Sequence, residues 1–311
     1  MTDSIIEKPI HNRNVSVVMA TCNGGLYLEE QIQSILLQTL QPAEFIVCDD
    51  QSTDNTPDIL EKYSRHGVLQ YVINTKRLGI TANFKKAVSL ASHNNYVALS
   101  DQDDIWMPEK LAVSVTALQK IDTNTDPAMI YSDLLLMNKS GQLLDTTVQA
   151  ELGHTKYIHC LETLLFGNFV LGCTVVMNPE MKKHFATIPE NSAFNHDTWI
   201  TLLAFTLGKV YALPDPYIYY RHHDSNATFS NHRKQTRMER ILSHLKNTVG
   251  RNDYLAAQFV LVKAFYSHYS EFLSAETGKM IKAFLKLEQS PYLRKKIAFE
   301  KAFNNKWISR F

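Results

Sequence analysis

The chain has 311 residues, 45% hydrophobic and 20% charged, which is enough for one large α/β domain and a smaller region beside it. Its first 14 residues are polar and lack the apolar segment of a signal peptide. The four cysteines form no C-x-x-C pair, and two of them lie in apolar strand patterns, which favours a reducing cytosol.

Strand and helix patterns alternate in chain order through the first part of the sequence. Short β-rich runs occur at 15–19, 45–48, 70–73 and 96–99, and helical patterns lie between them at 27–38, 57–63 and 81–91. This alternation predicts right-handed β-α-β units and a mainly parallel sheet covered on both faces.

A different pattern follows the helix predicted at 108–121. An apolar run over 129–137 and a turn at 139–141 lead into mixed strands and helices that extend to Tyr220. Residues 161–177 are mostly apolar, but glycines interrupt them and about 17 residues is the lower limit for a bilayer span. A buried helix, a turn and a strand are the better interpretation of that stretch.

Acidic side chains follow two of the predicted strands. Asp101, Asp103 and Asp104 come after the run at 96–99, and Asp49 and Asp50 come after the run at 45–48. In an open α/β sheet, ligands bind beyond the carboxyl ends of the strands, so both acidic ends are expected to face one crevice. A divalent cation that also binds substrate phosphate would relieve their repulsion. For the segment at 101–104, an acidic turn that caps the next helix is the alternative.

With these motifs, the chain resembles the family 2 glycosyltransferases, which are inverting enzymes of GT-A fold. Within them it is similar to the rhamnosyltransferase-like group of bacterial surface-polysaccharide enzymes. The resemblance lies in the order and spacing of segments between residues 14 and 228, namely 15–24, 38–39, 47–54, 83–84, 100–106, 167–174, 196–199 and 220–226.

The resemblance implies a GT-A fold, with a mainly parallel central sheet, helices on both faces and a C-terminal helical appendage. We expect a flexible tail over 1–13, a catalytic domain over 14–230 and a basic helical region over 231–311. Within the catalytic domain, residues 14–125 would bind the nucleotide sugar and residues 126–230 the acceptor.

The resemblance also implies roles for single residues. Asp50 would bind the pyrimidine, Asp101 the ribose and Asp103 the metal, while Asp104 would order the loop through hydrogen bonds. The full nucleotide-sugar site is expected to contain Ala20, Cys22, Asn23, Asp50, Arg77, Asn83, Asp101, Gln102 and Arg221, with Asp103 and His223 as ligands of Mn²⁺ or Mg²⁺. Arg221 would clamp the diphosphate; a salt bridge is the alternative.

The resemblance implies that the catalytic base is Asp197, because the family places a carboxylate at the start of a helix after the long acceptor segment. A positioned carboxylate can accept the proton of the attacking hydroxyl, and the helix N-terminus is expected to favour its ionised form. A simple N-cap is the alternative. His196, Trp106 and Trp199 are candidate walls of the acceptor or sugar site; His196 is expected to orient or pack rather than catalyse, and core positions are the alternative for the tryptophans.

The segment from residue 231 onward is basic. It holds 16 Lys and Arg against six Asp and Glu, a net charge of +10, so the first 230 residues carry about −9. Basic residues that alternate with aromatics, such as Tyr292, Trp307 and Phe311 around 294–296, suit an anionic membrane surface. A helical appendage with a solvated basic face is the alternative, and no motif supports nucleic-acid binding.

These expectations combine into one functional hypothesis. The protein would be a cytoplasmic, metal-dependent glycosyltransferase, peripheral at the inner face of the membrane, that uses a saccharide or lipid-linked saccharide acceptor. The leading donor is dTDP-rhamnose, with UDP-hexoses as the alternative. A non-catalytic sugar-nucleotide-binding or assembly protein is a second hypothesis. A phosphotransferase of haloacid dehalogenase type is a third, but Ile105 does not fit the Thr or Val of that motif.

Overall fold

The computed structural model describes residues 14–189, 194–223 and 255–303. The strands are β1 (Val15–Thr21), β2 (Glu44–Asp49), β3 (Gln70–Ile73), β4 (Tyr96–Ser100), β5 (Ile105–Trp106), β6 (Ala128–Tyr131), β7 (Leu135–Asn138), β8 (Leu143–Thr147), β9 (Val176–Met177), β10 (Lys209–Ala212) and β11 (Ile218–His222). The α-helices are α1 (Leu28–Leu36), α2 (Thr56–Arg65), α3 (Ile80–Leu90), α4 (Lys110–Ile121), α5 (Val148–Leu152), α6 (Leu161–Leu164), α7 (Pro179–Lys183), α8 (His196–Leu207), α9 (Ala256–Tyr269), α10 (Ala275–Lys286) and α11 (Tyr292–Phe303).

The central sheet has seven strands in the order β10-β6-β9-β4-β1-β2-β3. All neighbouring pairs are parallel except those of the short strand β9, which runs antiparallel to β4 and β6. Thr21 on β1 is in register with Asp49 on β2, and Met19 is in register with Ser100 on β4. The acidic residues that follow β2 and β4 therefore lie at the same edge of the sheet, as the sequence predicted.

A second sheet joins distant parts of the chain in the order β5-β11-β7-β8. Its strand β11 is antiparallel to β5, with Ile218 opposite Trp106 and Tyr219 opposite Ile105. This pairing brings the end of β11, at Arg221 and His222, next to the acidic loop that precedes β5.

The central sheet separates two apolar cores. Along β1, Val17 and Met19 face one core while Val18 faces the other, which is the alternation expected of a strand that is buried on both faces. The helices of the C-terminal region share the core that contains Val18, since Phe265 of α9 and Phe284 of α10 are fully buried in it. The described part of this region, residues 255–303, is helical as predicted and packs into the main core.

The predicted elements agree with the observed ones to within a few residues, with one exception. The apolar run at 129–137 forms two strands, β6 and β7, which belong to different sheets. In the part of the chain that the structure describes, no helix is both long enough and apolar enough to span a bilayer. The expected domain boundaries at 13 and 230 stay predictions, because residues 1–13 and 224–254 lie outside the described residues.

Candidate active site

A cleft of about 320 Å³ lies at the carboxyl edge of the central sheet. Ten of the predicted site residues line it, namely Ala20, Cys22, Asp50, Arg77, Asn83, Asp101, Gln102, Asp103, His196 and Asp197. The cleft also contains residues that sequence reasoning missed, namely Thr21, Gly79, Ile80, Phe84, Leu171, Gly172, Asn195 and Tyr220. Both halves of the predicted catalytic domain therefore contribute to one cavity.

Asp50, at the end of β2, is a fixed anionic acceptor. Its carboxylate accepts hydrogen bonds from the backbone amides of Leu78 at 2.7 Å and Gly79 at 2.8 Å, and from Asn74 Nδ2 at 2.9 Å. Burial alone would raise the pKa of Asp50, but these hydrogen bonds lower it overall. Gly79 has a φ of +82°, a value that glycine adopts without strain, so it suits the turn that points these amides at Asp50.

Asn83 supports this corner of the cleft through its side chain. Its Nδ2 donates to the carbonyl of Cys48 at 2.8 Å, and its Oδ1 accepts from Asn74 at 2.9 Å. Asn74 in turn accepts from Lys86 at 2.8 Å. Most of the hydrogen-bonding capacity of Asn83 is thus used within the protein, which favours a positioning role over a direct contact to base or phosphate. The sequence does not indicate that Asn74 and Lys86 support this corner of the cleft, because only the fold brings them next to their partners.

The first loop of the site is tied to the acidic loop by Gln102. Its Oε1 accepts from the backbone amide of Cys22 at 2.8 Å, and its Nε2 donates to the Cys22 carbonyl at 3.2 Å. Asn23, at a φ of +50°, lies outside the cleft lining, and its Oδ1 accepts from the Thr53 amide at 2.8 Å. Arg77 lines the cleft with its guanidinium against the Cys22 thiol. Asn23 therefore holds two loops together, and Arg77 is the predicted cation that reaches the cleft.

The acidic loop after β4 concentrates negative charge. Burial, together with the charges of Asp103 and Asp197, raises the pKa of Asp101 to about 7. Burial also raises the pKa of Asp104, whose Oδ2 has no hydrogen-bond partner among the described residues. Lys110 is buried behind this loop with its ammonium over the Trp106 ring, and burial lowers its pKa to about 7. Without a cation in front of it, this loop is electrostatically unfavourable.

The side chains here fit a hard divalent cation. Oδ2 of Asp103 lies 2.8 Å from Nε2 of His223, about the spacing of neighbouring ligands on an octahedral ion with bonds of about 2.1 Å. Asp101, Asp104 and Cys173 place ligand atoms within 4.8 Å of one another beside this pair. Carboxylate oxygens are the ligands that Mg²⁺ and Mn²⁺ prefer, and imidazole is compatible with them. The Asp103 and His223 pair is therefore a suitable holder for such an ion.

Arg221 has contacts that differ from those of a free phosphate clamp. Its guanidinium is buried in an ion pair with Glu30, and its Nε donates to the carbonyl of Asp103 at 3.1 Å. The guanidinium also lies over the Tyr27 ring, 4.6 Å from its centre. Arg221 does not line the cleft. The geometry corresponds to the alternative of a salt bridge, in which Arg221 fixes the backbone of the acidic loop.

Asp197 lies in the first turn of α8, one residue after the helix begins, with Asn195 at the N-cap. Its Oδ1 accepts from the backbone amide of Thr198 at 2.6 Å and from the Thr198 hydroxyl at 3.1 Å. Burial nevertheless raises the pKa of Asp197 to about 6, against these hydrogen bonds. The helix N-terminus was expected to favour the ionised form of Asp197, but desolvation outweighs the helix dipole in setting its pKa. A carboxylate with this pKa is better matched to accept a proton near neutral pH.

His196 and Gly172 form the floor next to Asp197. The His196 ring is buried against Phe84, with ring centres 4.2 Å apart, and burial lowers its pKa to about 3, so it is neutral. A Cβ atom on Gly172 would lie 2.8 Å from His196 Nε2 and 3.4 Å from the Cβ of Asp197. Position 172 is therefore restricted to glycine while His196 and Asp197 keep their places.

The two tryptophans are core residues and not sugar platforms. Trp106 is buried beneath Lys110, and Trp199 is fully buried with Phe194 stacked on its ring at 5.7 Å. Neither lines the cleft. The prediction of a wall role is wrong for both, because each lies on the inner face of its own element.

Comparison with known proteins agrees with this geometry. Residues 16–135 match the family described as Glycosyl transferase family 2. The chain is similar to this family over these residues, which run from β1 to the start of β7. It is 27% identical over 225 residues to the dTDP-rhamnosyl transferase RfbG of Shigella flexneri, an alignment that covers 68% of this chain and 74% of that protein. It is also 25% identical over 190 residues, 61% of this chain and 69% of that protein, to the UDP-Glc:alpha-D-GlcNAc-diphosphoundecaprenol beta-1,3-glucosyltransferase WfgD of Escherichia coli.

Solved structures show the same fold. The crystal structure of S. aureus TarS 1-349 in complex with UDP-GlcNAc superposes with a TM-score of 0.53, at 18% identity, over 94% of this chain and 80% of that one. The fold is thus GT-A and the protein is a glycosyltransferase, as predicted. The phosphotransferase alternative is wrong.

Gly172 provides a first test of the site in this glycosyltransferase. Gly172→Ala forces the new methyl group against His196 and Asp197, and a displacement of about 1 Å at a reacting group can cost about 10²-fold in rate. We expect kcat to fall by about that factor, while the affinity for nucleotide diphosphate changes little. The control is Gly167→Ala, since a Cβ there meets nothing within 4 Å. Equal rates for the two variants would contradict the steric argument.

The raised pKa values predict how the metal-free protein responds to pH. In the folded protein, Asp101 has a pKa of about 7 and Asp197 a pKa of about 6. In the unfolded chain, both carboxyl groups lose their protons near the ordinary pKa of 3.8. The folded state therefore holds more protons between these limits, and its free energy of unfolding falls as pH rises from about 4 to 7, by up to about 1.4 kcal/mol per pH unit for each group.

Asp101→Asn removes one of these groups, so its stability should fall less steeply over that range. Urea unfolding in EDTA at several pH values measures the slope. Asp145→Asn, an exposed site, serves as the control and should follow the parent protein. Parallel curves for Asp101→Asn and the parent protein would show that Asp101 titrates normally.

Proposed function

We propose that this glycosyltransferase moves a sugar from a nucleotide diphosphate to a saccharide or lipid-linked saccharide during synthesis of a cell-surface polysaccharide. The observation that carries the proposal is one cleft that is lined by Asp50, residues 101–103 of the acidic loop and Asp197. These groups meet the three needs of the reaction: a base-binding acceptor, neutralisation of the leaving diphosphate, and a proton acceptor for the attacking hydroxyl.

Asp50 is suited to the nucleobase. It is held ionised by three donors, and the same donors fix its direction. A fixed carboxylate can accept a hydrogen bond from the ring N–H of a pyrimidine. Asp101 is the group for the ribose hydroxyls, because it lines the same cleft as Asp50 and Asp197 and has a raised pKa that lets it share a proton. Arg77 is the lining cation available to the phosphates.

Asp103 and His223 would hold Mn²⁺ or Mg²⁺. When bound, the ion would stabilise negative charge on the leaving diphosphate. The protein's own contribution is to hold both ligands in place: Arg221 binds the Asp103 carbonyl, and Glu30 neutralises Arg221. The buried Asp104 supports the same turn, since its Oδ1 accepts from the Arg221 amide at 3.4 Å.

Asp197 is the proposed base. Its Oδ1 is occupied by Thr198, so the carboxylate is oriented, and its pKa of about 6 leaves it mainly ionised at neutral pH. It accepts the proton of the acceptor hydroxyl as the hydroxyl oxygen attacks the anomeric carbon and the bond to the diphosphate breaks. One such displacement inverts the anomeric centre. Below pH about 6 the base becomes protonated, so the rate is expected to fall there.

The donor we favour is dTDP-rhamnose, with a UDP-hexose as the alternative. RfbG is named a dTDP-rhamnosyl transferase and covers the larger share of this chain, while WfgD is named for a UDP-Glc donor. The name of WfgD also contains a diphosphoundecaprenol-linked sugar, which supports a lipid-linked acceptor for this chain. Such an acceptor would be reached at the inner face of the cytoplasmic membrane, where the basic region over 231–311 would contact anionic lipid.

The metal proposal predicts that nucleotide binding depends on a divalent cation. We expect the affinity for dTDP or UDP, measured by calorimetry, to fall by about tenfold or more, or about 1.4 kcal/mol, when EDTA replaces Mn²⁺. Testing both nucleotides and their sugars also identifies the donor. Equal affinity in EDTA would remove the metal assignment and leave the fold unaffected.

The base proposal predicts different losses at two carboxylates. Asp197→Asn keeps the shape and removes the proton acceptor, so kcat should fall by about 10²–10⁴ with donor affinity nearly unchanged. Asp103→Asn should weaken donor binding as well as turnover. Asp215→Asn, on an exposed loop, is the control for loss of a charge. Turnover by Asp197→Asn at the parent rate would mean that another group removes the proton.

A further inference from the structure

Helix α11 combines a buried and an exposed face that serve different purposes. Its buried face includes Lys295, Ala298 and Ala302, which are part of the shared core or its edge. Lys295 is only 3% exposed, and its ammonium lies 5.3 Å from the centre of the Phe259 ring. Within the basic run at 294–296, the middle residue therefore points into the protein and anchors the helix, while its two neighbours are exposed.

The outer face of α11 has an apolar centre. Leu293 is 65% exposed and Ile297 is 43% exposed. These residues are four apart, so they are neighbours on the helix surface. Burial of either side chain against a partner would be favourable, because it removes apolar surface from water.

Basic residues flank this apolar centre on both sides. Lys296 lies on one side of Leu293, whereas Arg294 and Lys301, seven residues apart and therefore on one stripe, lie on the other, and all three are exposed. Glu300 is the acidic residue on the same face. An apolar strip between basic edges is the pattern of a helix that lies in the plane of a membrane interface.

We propose that the outer face of α11, formed by Leu293, Ile297, Arg294, Lys296 and Lys301, docks the enzyme on an anionic membrane. Leu293 and Ile297 enter the headgroup region, and the three cations bind anionic headgroups. The net charge of this face favours anionic lipid over a second copy of the chain, because two such basic faces would repel each other. The proposal narrows the lipid contact of the region over 231–311 to one helix face, and its binding test requires neither donor nor acceptor.

Removal of the C-terminal region would be an unsuitable test. Phe259, Phe265 and Phe284 complete the core that also contains Trp199, so truncation near residue 230 would expose that core. Surface substitutions on α11 avoid this problem. The full chain is therefore compared with variants in co-sedimentation with vesicles of phosphatidylcholine alone and of phosphatidylcholine with phosphatidylglycerol.

Parent protein should bind the anionic vesicles, and more weakly at high salt, because salt screens exposed charges over about 8 Å at physiological ionic strength. Replacing Arg294, Lys296 and Lys301 by Gln should weaken this binding by about a hundredfold. The matched control replaces the exposed Lys120, Lys139 and Lys156 by Gln, which removes the same charge elsewhere. Equal loss in both triple variants would mean that only net charge matters and would overturn the proposal.

The apolar half of the surface is tested separately. Leu293→Glu with Ile297→Glu should reduce binding at least about tenfold, whereas Leu37→Glu with Leu143→Glu, at exposed sites outside α11, should reduce it much less. Absence of parent binding to anionic vesicles, or equal binding to both vesicle types, would overturn the proposal. Transfer to a water-soluble acceptor should be the same in the α11 variants and the parent, so failure here is distinguishable from failure of the proposed reaction.

Discussion

The structure depends on the burial of several carboxylates at one edge of a parallel sheet. The register of β1 with β2 and β4 fixes where the strands end, and the acidic residues follow at those ends. Burial raises the pKa of Asp101, Asp104 and Asp197, and repulsion by neighbouring carboxylates raises it further at Asp101 and Asp104. The charged form of this arrangement is unfavourable in the free protein, and a bound cation would offset that cost. The metal and diphosphate affinity proposed for this site would follow from how the sheet ends.

Two carboxylates at this edge behave in opposite ways, and hydrogen bonding decides the difference. Asp50 receives three donors from the loop at 74–79, so its pKa is lowered in spite of burial. Burial, together with the charges of its acidic neighbours, raises the pKa of Asp101 to about 7. The first is thus a permanent acceptor, suited to recognition, and the second can gain or lose a proton or exchange it for a metal. The loop that contains Gly79 lowers the pKa of Asp50 relative to that of Asp101, because its backbone amides donate their hydrogen bonds to Asp50.

Sequence reasoning could predict the parts that depend on local order. The chain itself shows the alternation of strands and helices. It also shows the acidic residues that follow β2 and β4, and Asp197 at the start of α8. The rest depends on residues that only the fold brings together. Arg221 pairs with Glu30 across 191 positions, and that ion pair competes with any role on phosphate. Burial of Trp199 and the low pKa of His196 follow from packing against elements far along the chain. The sequence around a residue shows neither which distant residue it will contact nor how deeply it will be buried.

The position of Asp197 ultimately depends on the C-terminal helices. Trp199, two residues further along α8, contacts Phe265 of α9 with ring centres 5.6 Å apart, and its Nε1 donates to Thr187 at 3.3 Å. The Thr187 hydroxyl is in turn bonded to Tyr269 at the end of α9, at 2.7 Å. The helix that presents the proposed base is therefore packed between the sheet and the basic region. Because α11 packs on the same core, a membrane contact at its outer face would hold the catalytic cleft at a constant distance from the lipid surface.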